Sequence, residues 1–373
     1  MQLIWCKNCL LPNTRPNLII EKNGVCSACN NFSKKKNTNW KKREKEFKKI
    51  VKKIKSKKLR YDCVIPVSGG KDSTWQTIKC LEYGLNPLTV TWRSPQRTKI
   101  GQENLNNLIS LGVDHIDWSV NPEIERKLTL ESLKKYGAIA IPMHLAMFNI
   151  PVLIASYFKI PYIIWGENSA VEYGNISSKD NQKNLSKNWY KKYGVTHNTR
   201  AIDWVSKNLP KNKMSSYFDY SSYGANHFNP ESIFLGYFFK WDPLKTYKIA
   251  KKKGFKAFKT ARTGFYKFAD IDDYFISIHH WLKWYKFGFT RIFDNLSIEI
   301  RNRRISKAKA IKIVKADGLK PPLKDIKKFC KYCNISNKEF FVIAETFRNK
   351  KIWSKDKNNK YYIKDFLIEN WKW

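Results

Sequence analysis

Strands and helices alternate between residues 61 and 165, and this alternation constrains the fold more than any other feature of the sequence. Four short segments are predicted to be strands: the apolar run 63–67, then 88–92, 115–118 and 162–165. Three segments of helical character separate them: 73–83, 100–111 and 143–158. Because parallel neighbouring strands need a crossover helix, the pattern predicts an α/β domain built on a doubly wound parallel sheet.

A glycine-containing loop, Ser68-Gly69-Gly70-Lys71-Asp72-Ser73, lies between the first strand and the first helix. Glycines let the backbone approach phosphate oxygens, and the N–H groups and dipole of the following helix favour an anion. Lys71 adds a positive charge, Ser68 and Ser73 offer hydroxyls, and Asp72 either caps the helix or helps to hold Mg²⁺. The G-x-x-x-x-G-K-[ST] spacing of a Walker A loop is missing. The simpler alternative is an ordinary glycine turn before a helix.

Four cysteines near the N-terminus have the spacing of a metal site. Cys6 and Cys9 form one C-x₂-C pair, and Cys26 and Cys29 form a second pair 16 residues later. This spacing predicts a structural Cys₄ zinc site, which leaves no coordination position open for a substrate. We expect Cys63 and Cys80 to be core residues. Cys330 and Cys333 form a third C-x₂-C pair in a helical context with no second pair nearby, so two partly buried thiols are favoured there and metal binding is the alternative.

Composition and segment boundaries suggest four parts. We expect a zinc module at 1–33, a linker helix within 34–60, the α/β domain at 61–241 with a polar excursion at 174–230, and a helical C-terminal domain at 242–373. No signal peptide or apolar run long enough for a membrane span is visible, so we expect a cytoplasmic protein.

The formal charge of +40 comes mainly from lysines spread over the whole chain. Nucleic-acid surfaces favour arginine for bidentate contacts, so a lysine-rich background explains the charge better than a nucleic-acid interface does. A polyanionic partner remains the alternative, and nucleotides would benefit from the same field.

The loop resembles the PP-loop, S-G-G-x-D-S, of the N-type ATP pyrophosphatases, and further motifs narrow this resemblance. The motifs are Leu11–Pro16, Trp165–Asn168, Glu172–Gly174, Phe239–Asp242, Arg262–Gly264, Asp272–Asp273, Lys286–Gly288, Arg291–Asp294 and Glu299–Asn302. In this order they resemble the bacterial N-acetyl sugar amidotransferases. Phe289 departs from the pattern, because a small aliphatic residue is expected after Gly288.

The resemblance implies a reaction and a set of site residues. Such enzymes convert the N-acetyl group of a nucleotide-activated sugar into an acetamidino group, for O-antigen, capsule or flagellar glycan, and turn ATP into AMP and diphosphate. The implied cofactors are ATP, Mg²⁺ and Zn²⁺. The residues implied to be catalytic are Lys71, Asp72 and Glu167. The residues implied to bind ATP are Asn168 and the whole loop Ser68–Ser73. The implied substrate contacts are Lys240, Arg291 and Arg301.

The nitrogen source follows from what the sequence lacks. A class II glutaminase needs an N-terminal cysteine, whereas this sequence opens Met1-Gln2, and no G-x-C-x-G elbow of a class I glutaminase is present. By resemblance, we expect a separate glutaminase subunit to supply ammonia, with or without a cyclase-like barrel subunit.

Two other functions remain possible at this point. A PP-loop tRNA-modifying enzyme of thiolase or ligase type would also suit a zinc module and a basic chain. A thiolase, however, usually needs reactive cysteines beside the loop, and Cys63 has no partner on the loop-bearing strands. A non-enzymatic zinc adaptor would leave the phosphate loop unexplained.

Overall fold

The computed structural model describes residues 2–218 and 228–371. Its centre is a sheet of five parallel strands in the order β3-β2-β1-β4-β5. The strands are β1 Cys63–Pro66, β2 Pro87–Trp92, β3 Asp114–Trp118, β4 Tyr162–Trp165 and β5 Glu231–Phe234. The predicted doubly wound parallel sheet is therefore confirmed.

Fifteen helices surround or follow the sheet within the described residues. Those up to the last sheet strand are α1 Ser27–Lys36, α2 Trp40–Lys55, α3 Lys71–Glu82, α4 Lys99–Ile109, α5 Pro122–Tyr136, α6 Ile141–Tyr157, α7 Ser169–Tyr173 and α8 Lys187–Tyr193. Those after it are α9 Leu235–Phe238, α10 Pro243–Lys252, α11 Ile276–Phe287, α12 Arg291–Arg301, α13 Lys307–Asp317, α14 Leu323–Cys333 and α15 Asn337–Thr346. A small antiparallel ribbon, β6 Trp353–Lys355 with β7 Tyr361–Ile363, lies near the end of the chain.

The central strands β1 and β4 are buried on both faces, which explains why they are apolar along most of their length. Val64 and Ile163 point into a core shared with α6, whereas Cys63, Ile65 and Ile164 point into a second core on the opposite face. Alternate residues of a strand face opposite sides of a sheet, so both faces need apolar residues when helices cover both.

Helix α2 does more than link two parts of the chain. Its buried residues Phe47, Val51 and Ile54 belong to the same core as Ile65 of β1. Asn39 caps its first turn by accepting a hydrogen bond from the Lys42 N–H at 2.9 Å. Helix α2 lies within the segment 34–60, where the sequence predicts a linker helix, and it covers part of one face of the sheet.

The polar excursion packs against the sheet domain instead of extending away from it. Met214 and Tyr217 are buried beside α6 in the core of that face, and the Asn184 side chain donates a hydrogen bond to Glu231 of β5. Residues 219–227 of the predicted excursion lie outside the described residues. Among the helices that the structure describes, none combines the length and apolarity that crossing a membrane requires.

The N-terminal module docks on the C-terminal helices. Leu3 and Leu10 pack in one cluster with Phe293 of α12. The Thr14 hydroxyl donates a hydrogen bond of 2.6 Å to the Phe287 carbonyl, at the end of α11. These partners lie 273 residues apart in the sequence, so the N-terminal module and the C-terminal helices stabilise each other.

Asp294 is the most deeply buried charge at this junction. Its side chain is only 1% exposed and accepts hydrogen bonds from Arg15 at 3.0 Å and from Lys283 at 2.9 Å. Burial alone would raise the pKa of Asp294, but the positive charges of Lys283 and Arg15 outweigh it and hold the pKa well below its usual range. The carboxylate therefore ties the N-terminal module, α11 and α12 together.

We expect Asp294→Asn to destabilise the protein by about 3–5 kcal/mol at neutral pH, because it leaves two largely buried cations without their counter-charge. A group with a depressed folded pKa stabilises above its unfolded pKa, so the deficit should persist above about pH 4 and shrink as the pH falls further. Urea unfolding at several pH values measures this. Asp365→Asn, at an exposed aspartate, is the control, and an equal loss in both variants would contradict the assignment.

Candidate active-site cleft

A cleft of about 490 Å³ opens at the carboxyl edge of the sheet, where β1 and β4 lie side by side. The strand order reverses between these two strands, and doubly wound sheets bind ligands at such a position. The volume is within the range of small-molecule sites. Its lining includes the loop after β1, the loop after β4 and the segment 268–273 of the C-terminal part, together with residues of α6, α8 and α12.

The predicted phosphate loop forms one wall of the cleft, at the start of α3. Gly69 has a positive φ of 81°, and a Cβ atom there would lie 2.6 Å from the Leu105 nitrogen, so only glycine fits. The Ser68 hydroxyl accepts a hydrogen bond from the Gly70 N–H at 3.2 Å, and the Ser73 hydroxyl donates to the Gly70 carbonyl at 2.9 Å. No side chain caps α3, so its first N–H groups can bind an anion.

Lys71 and Asp72 form an ion pair at the cleft wall. Lys71 is 6% exposed. The Asp72 carboxylate also accepts hydrogen bonds of 2.9 Å from the Trp241 indole and from the Thr246 hydroxyl. These contacts fix Asp72 in orientation, and Asp72 in turn positions the lysine charge beside the loop.

Glu167 follows β4 and lies across the cleft from the loop. Burial, and then the negative charge of Asp72, raises the pKa of Glu167 to about 7. The start of α9 packs closely behind it, because a Cβ on Gly236 would lie 3.1 Å from the Glu167 Cα. A carboxyl group with this pKa can bind a cation or exchange a proton near neutral pH.

A second group of carboxylates comes from the C-terminal part: Asp270, Asp272 and Asp273. Burial raises the pKa of Asp272, and it raises the pKa of Asp273 to about 6. Asp270 instead pairs with Arg291 at 2.9 Å. Sequence reasoning quoted Asp272 and Asp273 only as a motif and missed Asp270, although the spacing D-x-D-D was a usable signal.

The far end of the cleft is aromatic. Phe148, Trp165, Trp189 and Tyr193 line it, with Phe148 and Trp165 ring centroids 5.0 Å apart. Trp189 and Tyr193 lie on α8, within the excursion to which the sequence assigned no role. Flat apolar surfaces of this kind suit a nucleobase or a sugar ring.

Four predicted site residues do not line the cleft: Gly69, Asn168, Lys240 and Arg301. Gly69 instead shapes the turn of the phosphate loop. The Asn168 side chain accepts hydrogen bonds from the Ala170 N–H and the Trp189 indole, and so stabilises the start of α7. Lys240 is exposed and absent from the lining. Arg301 lies at the other end of α12 from Arg291 and donates to the Glu172 carbonyl at 2.8 Å. The other predicted residues, Ser68, Gly70, Lys71, Asp72, Ser73, Glu167 and Arg291, line the cleft.

The four N-terminal cysteines converge in the module. Their sulfur atoms all lie within 4.8 Å of one another, with Cys6 and Cys29 sulfurs 3.9 Å apart and Cys9 and Cys26 sulfurs 3.6 Å apart. A disulfide would need about 2.05 Å. Zn–S bonds of about 2.3 Å give a tetrahedral S–S edge of about 3.8 Å, so the donor set and its spacing fit zinc.

The module also supports the cleft. Helix α1 packs beside α7, which follows the cleft loop carrying Glu167, and Lys35 of α1 pairs with Glu172 at 2.5 Å. The Asn31 side chain donates a hydrogen bond to Asn175 at 2.9 Å. A metal in the module would therefore stabilise the loop after β4 from behind.

The remaining cysteines lie away from the cleft. Cys63 and Cys80 are fully buried, and Cys63 opens β1 at the strand end opposite the phosphate loop. Cys330 and Cys333 are buried on α14. Cys63 and Cys80 are therefore core residues as predicted, and Cys330 and Cys333 are buried nearly as completely.

We expect purified protein to contain one zinc ion per chain and the Cys6→Ser/Cys9→Ser variant to lose it, because two ligands of four are removed. Elemental analysis measures the content. Cys330→Ser/Cys333→Ser is the matched control, since it removes a pair with the same spacing and should keep the metal. Unchanged zinc in the first variant would place the ion elsewhere.

Comparison with known proteins gives a match in the C-terminal part. Residues 254–366 match the family model described as "LPS biosynthesis protein WbpG-like, C-terminal domain". That region contains Asp270, Asp272, Asp273 and Arg291 of the cleft. No curated protein matches the chain.

Among solved structures, an NMN synthetase from Francisella tularensis is similar at 14% identity, over 51% of this chain and 83% of that chain, with a TM-score of 0.29. The family match confirms the resemblance found in the sequence motifs. Residues 254–366 of this chain are therefore similar to the C-terminal domain of the WbpG-like proteins of lipopolysaccharide biosynthesis.

Proposed function

We propose that the protein is an ATP-dependent amidotransferase that converts the N-acetyl group of a nucleotide-activated sugar into an acetamidino group, for a bacterial surface glycan. One observation carries the proposal: the uncapped start of α3, with Lys71, faces buried carboxylates and an aromatic wall across one cleft. The family match to lipopolysaccharide biosynthesis supports the same substrate class. We place the reaction in the cytoplasm, where nucleotide sugars are made.

The loop and Lys71 would hold the diphosphate part of ATP. An acetamide carbonyl is a poor electrophile, so its oxygen first attacks the α-phosphate, and diphosphate leaves. Ammonia then adds to the activated carbon and expels AMP, which carries away the former amide oxygen. Backbone N–H groups and a fixed lysine stabilise the charge that develops on the leaving diphosphate.

The cleft also suits Mg²⁺. Its lining carries five carboxylates, Asp72, Glu167, Asp270, Asp272 and Asp273, against three strong cations, Lys71, Arg97 and Arg291. A triphosphate entering this lining would be repelled without additional positive charge. Asp72, Glu167 and Asp272 offer the oxygen ligands that Mg²⁺ prefers. When bound, the ion would neutralise phosphate oxygens.

Arg291 would contact the sugar nucleotide. It lines the cleft, and its pairing with Asp270 holds it in place. The guanidinium also lies over the Tyr173 ring, 5.5 Å from the centroid. It retains N–H groups for a phosphate or a carboxylate of the substrate. The aromatic end, with Trp189 and Tyr193, would accept a flat ring. We propose that a separate glutaminase subunit supplies the ammonia.

The tRNA-modifying alternative receives less support. A thiolase needs reactive cysteines at its active site, and none of the described cysteines lines the cleft. Cys63 and Cys80 are fully buried on β1 and α3. A tRNA-modifying enzyme of the ligase type is the second candidate. Release of AMP that depends on tRNA, and not on a sugar, would favour this function.

We expect AMP and diphosphate as the nucleotide products when candidate UDP- and CMP-diacetamido sugars are incubated with ATP, Mg²⁺ and ammonium. The oxygen of the sugar's acetamide group should be replaced by NH, and mass spectrometry detects this change in mass. Lys71→Ala should lower turnover by about a hundredfold or more, because a fixed charge on the leaving diphosphate is lost.

Lys79→Ala is the matched control for this experiment. Lys79 lies on the same helix, α3, pairs with Glu82 near its end, and is absent from the cleft lining. Its removal should leave turnover close to wild type, because exposed ion pairs contribute little. ADP as the main product, or equal loss in both variants, would contradict the proposal.

A further inference from the structure

A small pocket of about 30 Å³ lies beside the cleft, between α5, α6 and the start of α11. It shares four wall residues with the cleft: Trp92, Met143, Asp273 and Ile276. A volume of this size holds roughly one or two molecules as small as water or ammonia. It is too small for any part of a nucleotide or a sugar.

Glu125 is one of two carboxyl groups in the wall of the pocket. This residue of α5 is 4% exposed, and one carboxylate oxygen accepts a hydrogen bond from the Trp92 indole at 3.0 Å. The other oxygen has no hydrogen-bond partner among the described residues. A buried carboxylate oxygen without a partner is costly unless a cation or a donor reaches it. A ligand with a positive charge or with N–H groups would supply the missing partner of this oxygen.

The rest of the wall restricts that ligand. Asp273 adds a second carboxylate, which already accepts hydrogen bonds from Ser94 and from the backbone at the start of α11. Burial lowers the pKa of His279, so this imidazole is neutral. No lysine or arginine is among the lining residues that the structure describes, and most of the others are apolar.

We propose that this pocket binds ammonium and that Glu125 takes a proton from it, releasing ammonia toward the cleft; this assignment rests on the proposed amidotransferase reaction. Ammonium carries four N–H donors and binds well to few oxygens and an aromatic face such as Trp92. A sodium or magnesium ion needs more oxygen ligands than Glu125 and Asp273 offer.

The proton balance is simple. An N–H bond of ammonium breaks, an O–H bond forms on Glu125, and neutral ammonia results. Burial raises the pKa of Glu125 to about 8, toward that of ammonium, and a bound ammonium ion favours the ionised carboxylate, which is the form that accepts the proton. We therefore expect the transfer to be most effective at about pH 8 and above. Ammonia then forms the C–N bond at the activated carbon in the cleft, the C–O bond to AMP breaks, and the amidine is left protonated. Glu125 returns its proton to solvent before the next turnover.

Binding can be tested without any sugar or ATP. We expect ammonium chloride to raise the Tm of wild type by about 1–3 °C relative to sodium chloride at the same ionic strength. The difference should vanish in Glu125→Gln and persist in Glu131→Gln, an exposed glutamate on the same helix. Equal Tm values in both salts for wild type would overturn the proposal. This result is independent of the reaction that the enzyme catalyses.

Kinetics then test the role of the site. In Glu125→Gln, the KM for ammonium should rise about tenfold or more, since a charged contact is lost. The rate with hydroxylamine, which is uncharged near neutral pH, should stay close to that of wild type. The rate of sugar-dependent exchange of diphosphate into ATP should also be unchanged. Thr129→Leu, which fills the pocket and keeps the carboxylate, should also raise the KM for ammonium.

The outcomes separate the two proposals. Unchanged ammonium kinetics in both Glu125→Gln and Thr129→Leu would show that the pocket holds only water. Absence of sugar-dependent diphosphate exchange in wild type would instead contradict the amidotransferase reaction. In that case the salt-dependent Tm values still decide whether the pocket binds ammonium.

Discussion

The reversal of strand order between β1 and β4 determines where this protein can bind a ligand. Crossover helices leave β1 toward one side and β4 toward the other, so no connection covers the carboxyl ends of these two strands. The phosphate loop follows β1, and the loop with Glu167 follows β4. Both therefore project into one crevice, and the rest of the molecule completes its walls.

Two distant parts of the chain provide those walls, and buried charges hold them in place. The C-terminal segment brings Asp270 to Asp273 to the cleft, where Arg291 neutralises Asp270. The cysteine module supports the loop after β4 from behind through α1 and Lys35. Asp294 joins the module to α11 and α12. Moving any of these parts would leave a buried charge without its partner, which costs free energy. The ion pairs therefore stabilise the assembled arrangement of module, helices and cleft.

Local sequence predicted the sheet and the loop because local chemistry determines both. Strands that are buried on two faces must be apolar along most of their length. At position 69 the backbone has a positive φ and approaches Leu105 closely, so only glycine fits there. The prediction missed α5, because charged residues interrupt its buried face, and β5, because it begins with the polar residues Glu231 and Ser232. The Cys₄ spacing also predicted a cluster that the structure confirms.

The parts of the site that depend on tertiary packing could not be predicted. Trp189 and Tyr193 reach the cleft only because the excursion folds back on the sheet domain. Arg291 and Arg301 look equivalent in sequence, yet ten residues of α12 place them about 15 Å apart along the helix axis and on different sides of it. Only one of the two can line the cleft.

The central claim is that the amide oxygen of the sugar attacks ATP before ammonia enters. Labelling the N-acetyl carbonyl of the sugar with ¹⁸O and following the label by mass spectrometry tests this claim directly. The account predicts that the ¹⁸O appears in the phosphoryl group of AMP, in step with formation of the amidine. Label in inorganic phosphate, in diphosphate or in water, with unlabelled AMP, would contradict it.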